Sequence, residues 1–341
     1  MSQRVRLGVA GLGRMGRLHA ENLAAARGVE LVRVVDQDEA RARELAADLG
    51  CEWSASYGDL LADADLDAVV VVTPTPLHVP MIEQAAAAGK HIFCEKPLAF
   101  DAAEAQKGVD AATAAGIKLQ VGFHRRFDPD WASATARIEA GELGEIYLFR
   151  TSLRDMAPPP LDYIRSSGGF FVDMTIHDLD TARWMAGEIA EVTAAGAALS
   201  DPGFAEAGDI DNAIVTLRFA SGALGVIDNS RVAGYGYECS TEVIGSKATV
   251  RVGDHRRLHT AWLSAGSMQV DWVSDFIARY PLAYRLELEH FVASIRDDTP
   301  PLVTGVDGVA ALVLAEACRR SYEEGRPVRL ATAMEHGVEA A

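Results

Sequence analysis

Asp173 and His177 stand four residues apart in the stretch GFFVDMTIHDLDTARW, residues 169–184. On a helix beginning near Asp173 this spacing stacks the two side chains on one face, within reach of each other. A carboxylate beside an imidazole forms a set that can accept and return a proton near neutral pH. A third reactive group is Lys96, in Glu95-Lys96-Pro97 at the end of the apolar run 91–94. Burying an ammonium is costly unless a partner or ligand compensates it. Neighbours on a strand point to opposite faces, so Glu95 is badly placed to be that partner, and the lysine faces a ligand crevice.

A cofactor signature precedes these groups. Gly11, Gly13 and Gly16 form G-x-G-x-x-G between the apolar run 5–10 and a helical pattern carrying Met15, Leu18 and Leu23. Glycines there allow a tight turn and close backbone approach to a pyrophosphate on the helix N-terminus. Arg14 and Met15, inside the fingerprint, count as cofactor contacts with the three glycines. Asp36 follows 20 residues after Gly16, at the tip of the second strand. There it can accept hydrogen bonds from both ribose hydroxyls of NAD and repels a 2′-phosphate, so NAD is preferred over NADP. Gln37 and Asp38 supply no cation; Arg41 and Arg43 on the next helix are the features against this preference. Thr73-Pro74-Thr75-Pro76 ends another strand, where open α/β sheets bind ligands, and the Thr73 and Thr75 hydroxyls are candidate cofactor contacts. His78 reads equally as a cofactor contact or a helix cap, and Glu95 and Lys96 complete the cofactor set.

Positioning these groups requires two kinds of architecture. Through residue 123, strands alternate with helices, and the strands are near-continuous apolar runs such as Ala68-Val69-Val70-Val71-Val72. Continuous runs mean a sheet covered on both faces, hence parallel and doubly wound. After Phe127 the pattern changes to a helix over 129–140, a strand over 146–152, a Pro-rich loop over 157–167, and the helix with Asp173 and His177. From Val192 to about Val252, alternation such as Ala213, Val215, Leu217, Phe219 predicts an open, mostly antiparallel sheet with one packed face. The last 60 residues return to helix, with Leu286, Phe291, Ile295 and then Val306, Val309, Val313 at helical spacing. The expectation is α/β throughout: a Rossmann domain over 1–123, and an α+β domain over 124–341 that binds substrate and mediates oligomerisation, its C-terminal helices able to pack back on the first.

Composition narrows the partners. Of 341 residues 49% are apolar and 24% charged, and the net charge is −17. A nucleic-acid or anionic-membrane partner needs basic surface, so neither is expected. Apolar runs fall short of the ~18 residues of a membrane span, no leader pattern is read at the N-terminus, and the cytoplasm is the expected location. Cys51, Cys94, Cys239 and Cys318 are scattered, which suggests neither a zinc site nor a disulfide framework. Asp173, His177 and Asp178 could ligate a metal, but no third convergent ligand is evident, and no metal is expected.

These motifs together resemble the family named for glucose–fructose oxidoreductase, inositol dehydrogenase and a rhizopine-catabolism protein. The matching elements are GVAGLGRMG (8–16), TPTPLH (73–78), CEKPL (94–98), GFHRRFDP (122–129), GGFFVDMTIHDLD (168–180) and GYGYECSTEVIGSKA (234–248). The resemblance implies a Rossmann domain followed by an α/β domain whose open sheet often mediates tetramers. It implies Lys96, Asp173 and His177 as catalytic lysine, aspartate and histidine, and a cis Lys96–Pro97 peptide. Substrate contacts by resemblance are Lys96, Arg125, Asp155, Asp173, His177 and Tyr235, with His124 at a position that varies with substrate; one of the adjacent Arg125 and Arg126 could instead pair with a surface acid. The implied activity is NAD-dependent oxidation of a secondary hydroxyl of a cyclic polyol, myo- or scyllo-inositol before others, with an aldose as near neighbour. The family also contains NAD-dependent glycosidases and non-enzymatic NAD-binding regulators; retention of the Lys, Asp, His set argues against a regulator. A free sheet face carrying apolar side chains predicts a homo-oligomer.

Overall fold

The computed structural model describes residues 4–253 and 256–330. Its chain forms two compact units. One combines the chain up to Asp128 with Leu282–Leu312; the other combines Pro129–Pro281 with the chain from Val313.

In the first unit, six strands among the described residues are all parallel. They are β1 (Val5–Ala10), β2 (Val29–Val35), β3 (Glu52–Ser54), β4 (Ala68–Val71), β5 (His91–Cys94) and β6 (Leu119–Val121), in the order β3-β2-β1-β4-β5-β6. All four residues of β4 are fully buried, as expected for a strand with helices on both faces. The short β3, polar and half exposed, carries no apolar pattern and is not anticipated from sequence. Asp38 caps the helix Glu39–Leu49 by accepting from Arg41 N, and Asp101 caps Ala102–Ala114 by accepting from Glu104 N. The helix Pro281–Arg296 buries Leu288, Phe291 and Val292 in the core of this unit, with Phe291 edge-on to Phe93 at 6.0 Å. Each such fully buried apolar side chain contributes roughly 1.5–3 kcal/mol.

In the second unit, a seven-stranded sheet is formed among the described residues by β7 (Ile146–Arg154), β8 (Ile189–Ala197), β9 (Asn212–Phe219), β10 (Leu224–Ser230), β11 (Glu238–Gly245), β12 (Thr249–Val252) and a C-terminal strand Val328–Arg329. The β7–β10 pair is parallel; the other pairs are antiparallel. In β9, Ala213, Val215, Leu217 and Phe219 are buried while Ile214, Thr216 and Arg218 are exposed, so period-2 alternation separates a packed face from a free one. A hairpin, β13 (Arg256–Ser264) and β14 (Ser267–Trp272), turns at Gly266, whose φ of 74° suits a two-residue loop. The C-terminal strand is β15. No helix among the described residues is long and apolar enough to cross a membrane.

The helical spacing near the C-terminus correctly indicates helices at Pro281–Arg296, where Phe291 and Ile295 pack on the core, and Gly305–Glu324, where the spaced valines are not the buried face. Val306 is 62% and Val313 40% exposed, whereas Ala311, Leu312, Ala315 and Cys318 are buried. On the preceding helix Leu286 is half-buried, while Glu287 is fully buried. Alanine, cysteine and even a glutamate fill the close-packed positions because neighbouring elements leave room for small or specifically contacted side chains there.

Candidate active site

The cofactor end lies at the C-terminal edge of the parallel sheet. Gly11 has φ +90°, and a Cβ on it would stand 2.6 Å from Val72 O; a Cβ on Gly16 would stand 1.8 Å from Gly11 O. These two glycines let strand and helix backbones touch. Gly13 differs, since a Cβ there meets nothing within 4 Å. It is the N-cap of the helix Arg14–Ala25, which has no side-chain cap, so the helix N-terminus opens onto a cradle suited to an anion. Asp36, just past β2, is aimed by the main chain: Oδ2 accepts from Leu12 N at 2.7 Å and Oδ1 from Asp38 N at 2.9 Å. Arg41 lies 3.3 Å from both Asp36 and Asp38, while Arg43 pairs with Glu39 and covers the Trp53 ring at 4.5 Å. Both arginines therefore have acidic partners beside the ribose position. Cradle, open glycine and oriented aspartate fit a dinucleotide.

His78 is 1% exposed, and its Nδ1 and Nε2 lie 2.8 Å from the carbonyl oxygens of Pro97 and Thr73. Burial holds its pKa below the ordinary histidine value, against the opposing pull of these carbonyls. The ring is thus a brace between two loops rather than an exposed contact. Thr73 Oγ1 donates to Met81 Sδ at 3.4 Å, and Thr75 opens a short 3₁₀ turn ending at Leu77. Arg14 is exposed and Met15 half-buried on the first turn behind the cradle.

Lys96 follows β5 and Glu95, and the Lys96–Pro97 peptide is cis. The Glu95 carboxylate fixes this turn: Oε2 accepts from Lys96 N at 3.1 Å, and Oε1 lies 2.7 Å from His19 Nε2. A Cβ on Gly122 would lie 2.9 Å from Glu95 Oε2, so any side chain there would displace the carboxylate. Glu287 completes a cluster in which one ligand-type atom from each of His19, Glu95 and Glu287 lies within 4.8 Å of the others. Burial, with the Glu95 charge added, pushes the Glu287 carboxyl well above its ordinary value. Tyr284, one turn earlier, is also buried, its ring 4.6 Å from that of His124; burial and Glu95 raise its hydroxyl pKa. Arg125 is buried in the turn His124–Phe127, with its charge acting on Tyr284.

In the second unit, Gly168 and Gly169 (φ 85° and 92°) turn the chain into a π-helical segment, Phe171–Thr175, that continues as the α-helix Ile176–Ala186. A straight α-helix from Asp173 is the sequence expectation; the wider π turn changes which side chains share a face. The Asp173 carboxylate accepts from Tyr163 Oη at 2.7 Å on Oδ1 and from Arg231 Nη1 at 3.0 Å on Oδ2. His177, half-buried, follows one turn later, its carbonyl accepting from Thr181 Oγ1 at 2.7 Å. Asp178 turns the other way: fully buried, it accepts from Thr151 Oγ1 at 3.2 Å and Asn229 Nδ2 at 2.8 Å, docking the helix on the sheet. It does not converge with Asp173 as a metal ligand would. Asp155 is tied through its main chain to Ser230 and Ala233. The Tyr235 hydroxyl donates to Glu238 and accepts from Arg154 at 3.2 Å.

Sequence reasoning misses four residues of this arrangement. Arg231 and Tyr163 hold Asp173, and His19 and Glu287 surround Glu95. A lone arginine after a half-exposed strand and a glutamate at helical spacing ordinarily face water, so only Tyr163, within the loop expected to shape substrate choice, carries a signal in sequence.

Two family models match the chain: an oxidoreductase family NAD-binding Rossmann fold over residues 5–123, and its C-terminal alpha/beta domain over residues 135–330. The chain belongs to this family of NAD-dependent oxidoreductases, named for glucose–fructose oxidoreductase, inositol dehydrogenase and the rhizopine catabolism protein. It is 41% identical to scyllo-inositol 2-dehydrogenase (NAD(+)) of Bacillus subtilis, over 97% of each chain. It is 43% identical to Myo-inositol 2-dehydrogenase of Thermotoga maritima, over 96% of this chain and 98% of the relative. The solved structure of scyllo-inositol dehydrogenase from Lactobacillus casei with bound cofactor NAD(H) and scyllo-inositol superposes with a TM-score of 0.91 at 29% identity, covering 97% of this chain and 100% of that one.

Two outcomes test this geometry. Gly13→Val fills only the cradle, so NAD affinity measured by fluorescence titration should fall at least about tenfold while the cofactor-free melting temperature stays unchanged; Gly16→Ala should instead lower that melting temperature. Glu287 keeps a proton that the unfolded chain releases above the ordinary carboxyl pKa of 4.5, so its contribution to stability declines as pH rises past that value. Glu287→Gln should therefore melt above wild type at about pH 8 and close to it at about pH 4, each kcal/mol appearing as roughly 2–4 °C. A difference independent of pH would mean that Glu287 is ionised.

Proposed function

We propose that the chain is an NAD-dependent inositol 2-dehydrogenase, oxidising one secondary hydroxyl of myo- or scyllo-inositol to the ketone, in the cytoplasm. The observation that carries this reading is an identity of 41–43% to inositol 2-dehydrogenases over nearly the whole chain.

The chemistry divides among three side chains. His177 takes the proton from the reacting hydroxyl, a task for which an imidazole is suited near neutral pH. Asp173, its carboxylate fixed between Tyr163 and Arg231, orients the imidazole and stabilises the imidazolium that forms. Lys96, its main chain held by Glu95, donates to the reacting oxygen and stabilises developing alkoxide charge. Bound NAD supplies the acceptor for the hydride that leaves the alcohol carbon. Arg125, Asp155 and Tyr235 complete the substrate contacts, and His124 tunes the choice of substrate.

The free face of the seven-stranded sheet exposes Ile214 and Leu224, and the β13–β14 hairpin exposes Trp262, Leu263 and Met268. Apolar groups gathered this way favour association, and the proposed assembly is a homotetramer.

With a panel of inositol isomers and aldoses, NADH formation should be strongest with an inositol; aldose-only turnover would move the substrate assignment. His177→Ala should lower kcat by about 10²–10⁴-fold with NAD affinity retained, and near-normal turnover would remove the base assignment. Light scattering at micromolar concentration should give a mass of four chains, and a monomeric mass would eliminate the assembly.

A further inference from the structure

We propose that Arg231 is a positioning residue for Asp173, so that the orientation of the catalytic carboxylate depends on a buried cation supplied from the sheet. The proposal rests on the dehydrogenase reading above and adds to it a residue outside the Lys, Asp, His set.

Arg231 is 2% exposed, and its guanidinium makes one close ion pair, Nη1 to Asp173 Oδ2 at 3.0 Å. Nη2 stands 4.0 Å from Asp209 Oδ2, beyond hydrogen-bond distance, and neither Nε nor Nη2 has a hydrogen-bond partner. The group lies over the Phe170 ring at 5.3 Å. An apolar side chain of similar size would often fill such a place with equal or greater stability, because desolvating an ion is costly. A buried guanidinium with donors left over is therefore poorly explained by stability alone.

Its placement suits an orienting role. Arg231 follows β10, and its main-chain N donates to Asp211 O at 2.8 Å. Asp211 is itself buried and accepts from the main-chain N of Leu199 and Ser200, which fixes the base of the side chain. The planar guanidinium faces two acids at once, a geometry that an ammonium reproduces only in part. One is Asp173; the other is Asp209, whose Oδ1 accepts from Phe170 N at 3.0 Å, where the π-helical segment begins. Arg231 thus links the entrance of the helix to the carboxylate three residues along it. The two Asp173 oxygens are made unequal, Oδ2 committed to the buried cation and Oδ1 to the half-exposed Tyr163. Without the cation the carboxylate can rotate away from the alignment that proton transfer at His177 requires, and misplacements of this kind cost up to about 10²-fold in rate.

A double-mutant cycle with the full-length chain, NAD and inositol separates positioning from structure. Arg231→Gln should lower kcat roughly 10–100-fold while the dissociation constant for NAD stays unchanged, and Arg231→Lys should recover part of the loss. In an Asp173→Asn background, Arg231→Gln should change kcat by less than about threefold, because the group it acts through is gone. If the two losses multiply, or if Lys recovers nothing, Arg231 has only a structural role and the proposal falls. Should Arg231→Gln fail to fold, Asp209→Asn weakens the same anchor: a kcat loss that vanishes in the Asp173→Asn background supports the proposal, and a multiplicative one overturns it. A wild-type chain inactive on every polyol would overturn the dehydrogenase reading and this proposal with it, whereas an active wild type with multiplicative losses overturns the Arg231 assignment alone.

Discussion

The Glu95 carboxylate is the contact on which the first unit's part of the site depends. One oxygen meets His19 from the helix behind the phosphate cradle, and the other accepts from the main chain of Lys96. Gly122 presses against it from the end of β6, and Glu287 approaches from the helix Pro281–Arg296. A negative charge so nearly enclosed must be satisfied on every side, which forces strand, turn and two helices into one arrangement. Burial and the Glu95 charge both raise the Glu287 pKa and so oppose a second charge in this space. His78 performs the matching service one loop away, bracing the carbonyls of Thr73 and Pro97 so that the cofactor loop and the lysine turn are fixed together.

The second unit solves the same problem with opposite charge. There the Asp173 carboxylate is fixed in orientation by a buried arginine and a tyrosine from two sides. Asp178, one residue past His177, anchors the helix to Thr151 and Asn229 of the sheet. Helical rotation, after a π turn, thus points Asp173 to Arg231 and Tyr163 and Asp178 to the sheet. Polar networks in both units leave few alternatives, since a half-satisfied buried charge is more costly than none.

Much of this was legible in sequence, for identifiable reasons. The valine run of β4 announced a strand buried on both faces, and the alternation in β9 announced a sheet with a free side, because side-chain period and burial are linked by backbone geometry alone. The glycine fingerprint and Asp36 were readable because their chemistry is main-chain chemistry: close approach, an uncapped helix end, and a carboxylate aimed by two backbone N–H groups.

What sequence left undetermined depends on contacts between residues far apart in the chain. Periodicity announced the helix Gly305–Glu324 but did not show which side is buried: Val306 and Val313 are exposed, because the buried side is chosen by the shape of what packs on it. Glu287 and Arg231 looked like ordinary surface charges; each became a buried element of the site only when Glu95 and Asp173, 192 and 58 positions away in the sequence, were brought beside them. Local spacing by itself determined the nucleotide fold and the cofactor fingerprint. Tertiary structure alone decided which charges are buried and what holds the reactive groups in place, because desolvation and orientation arise between segments and have no local signature.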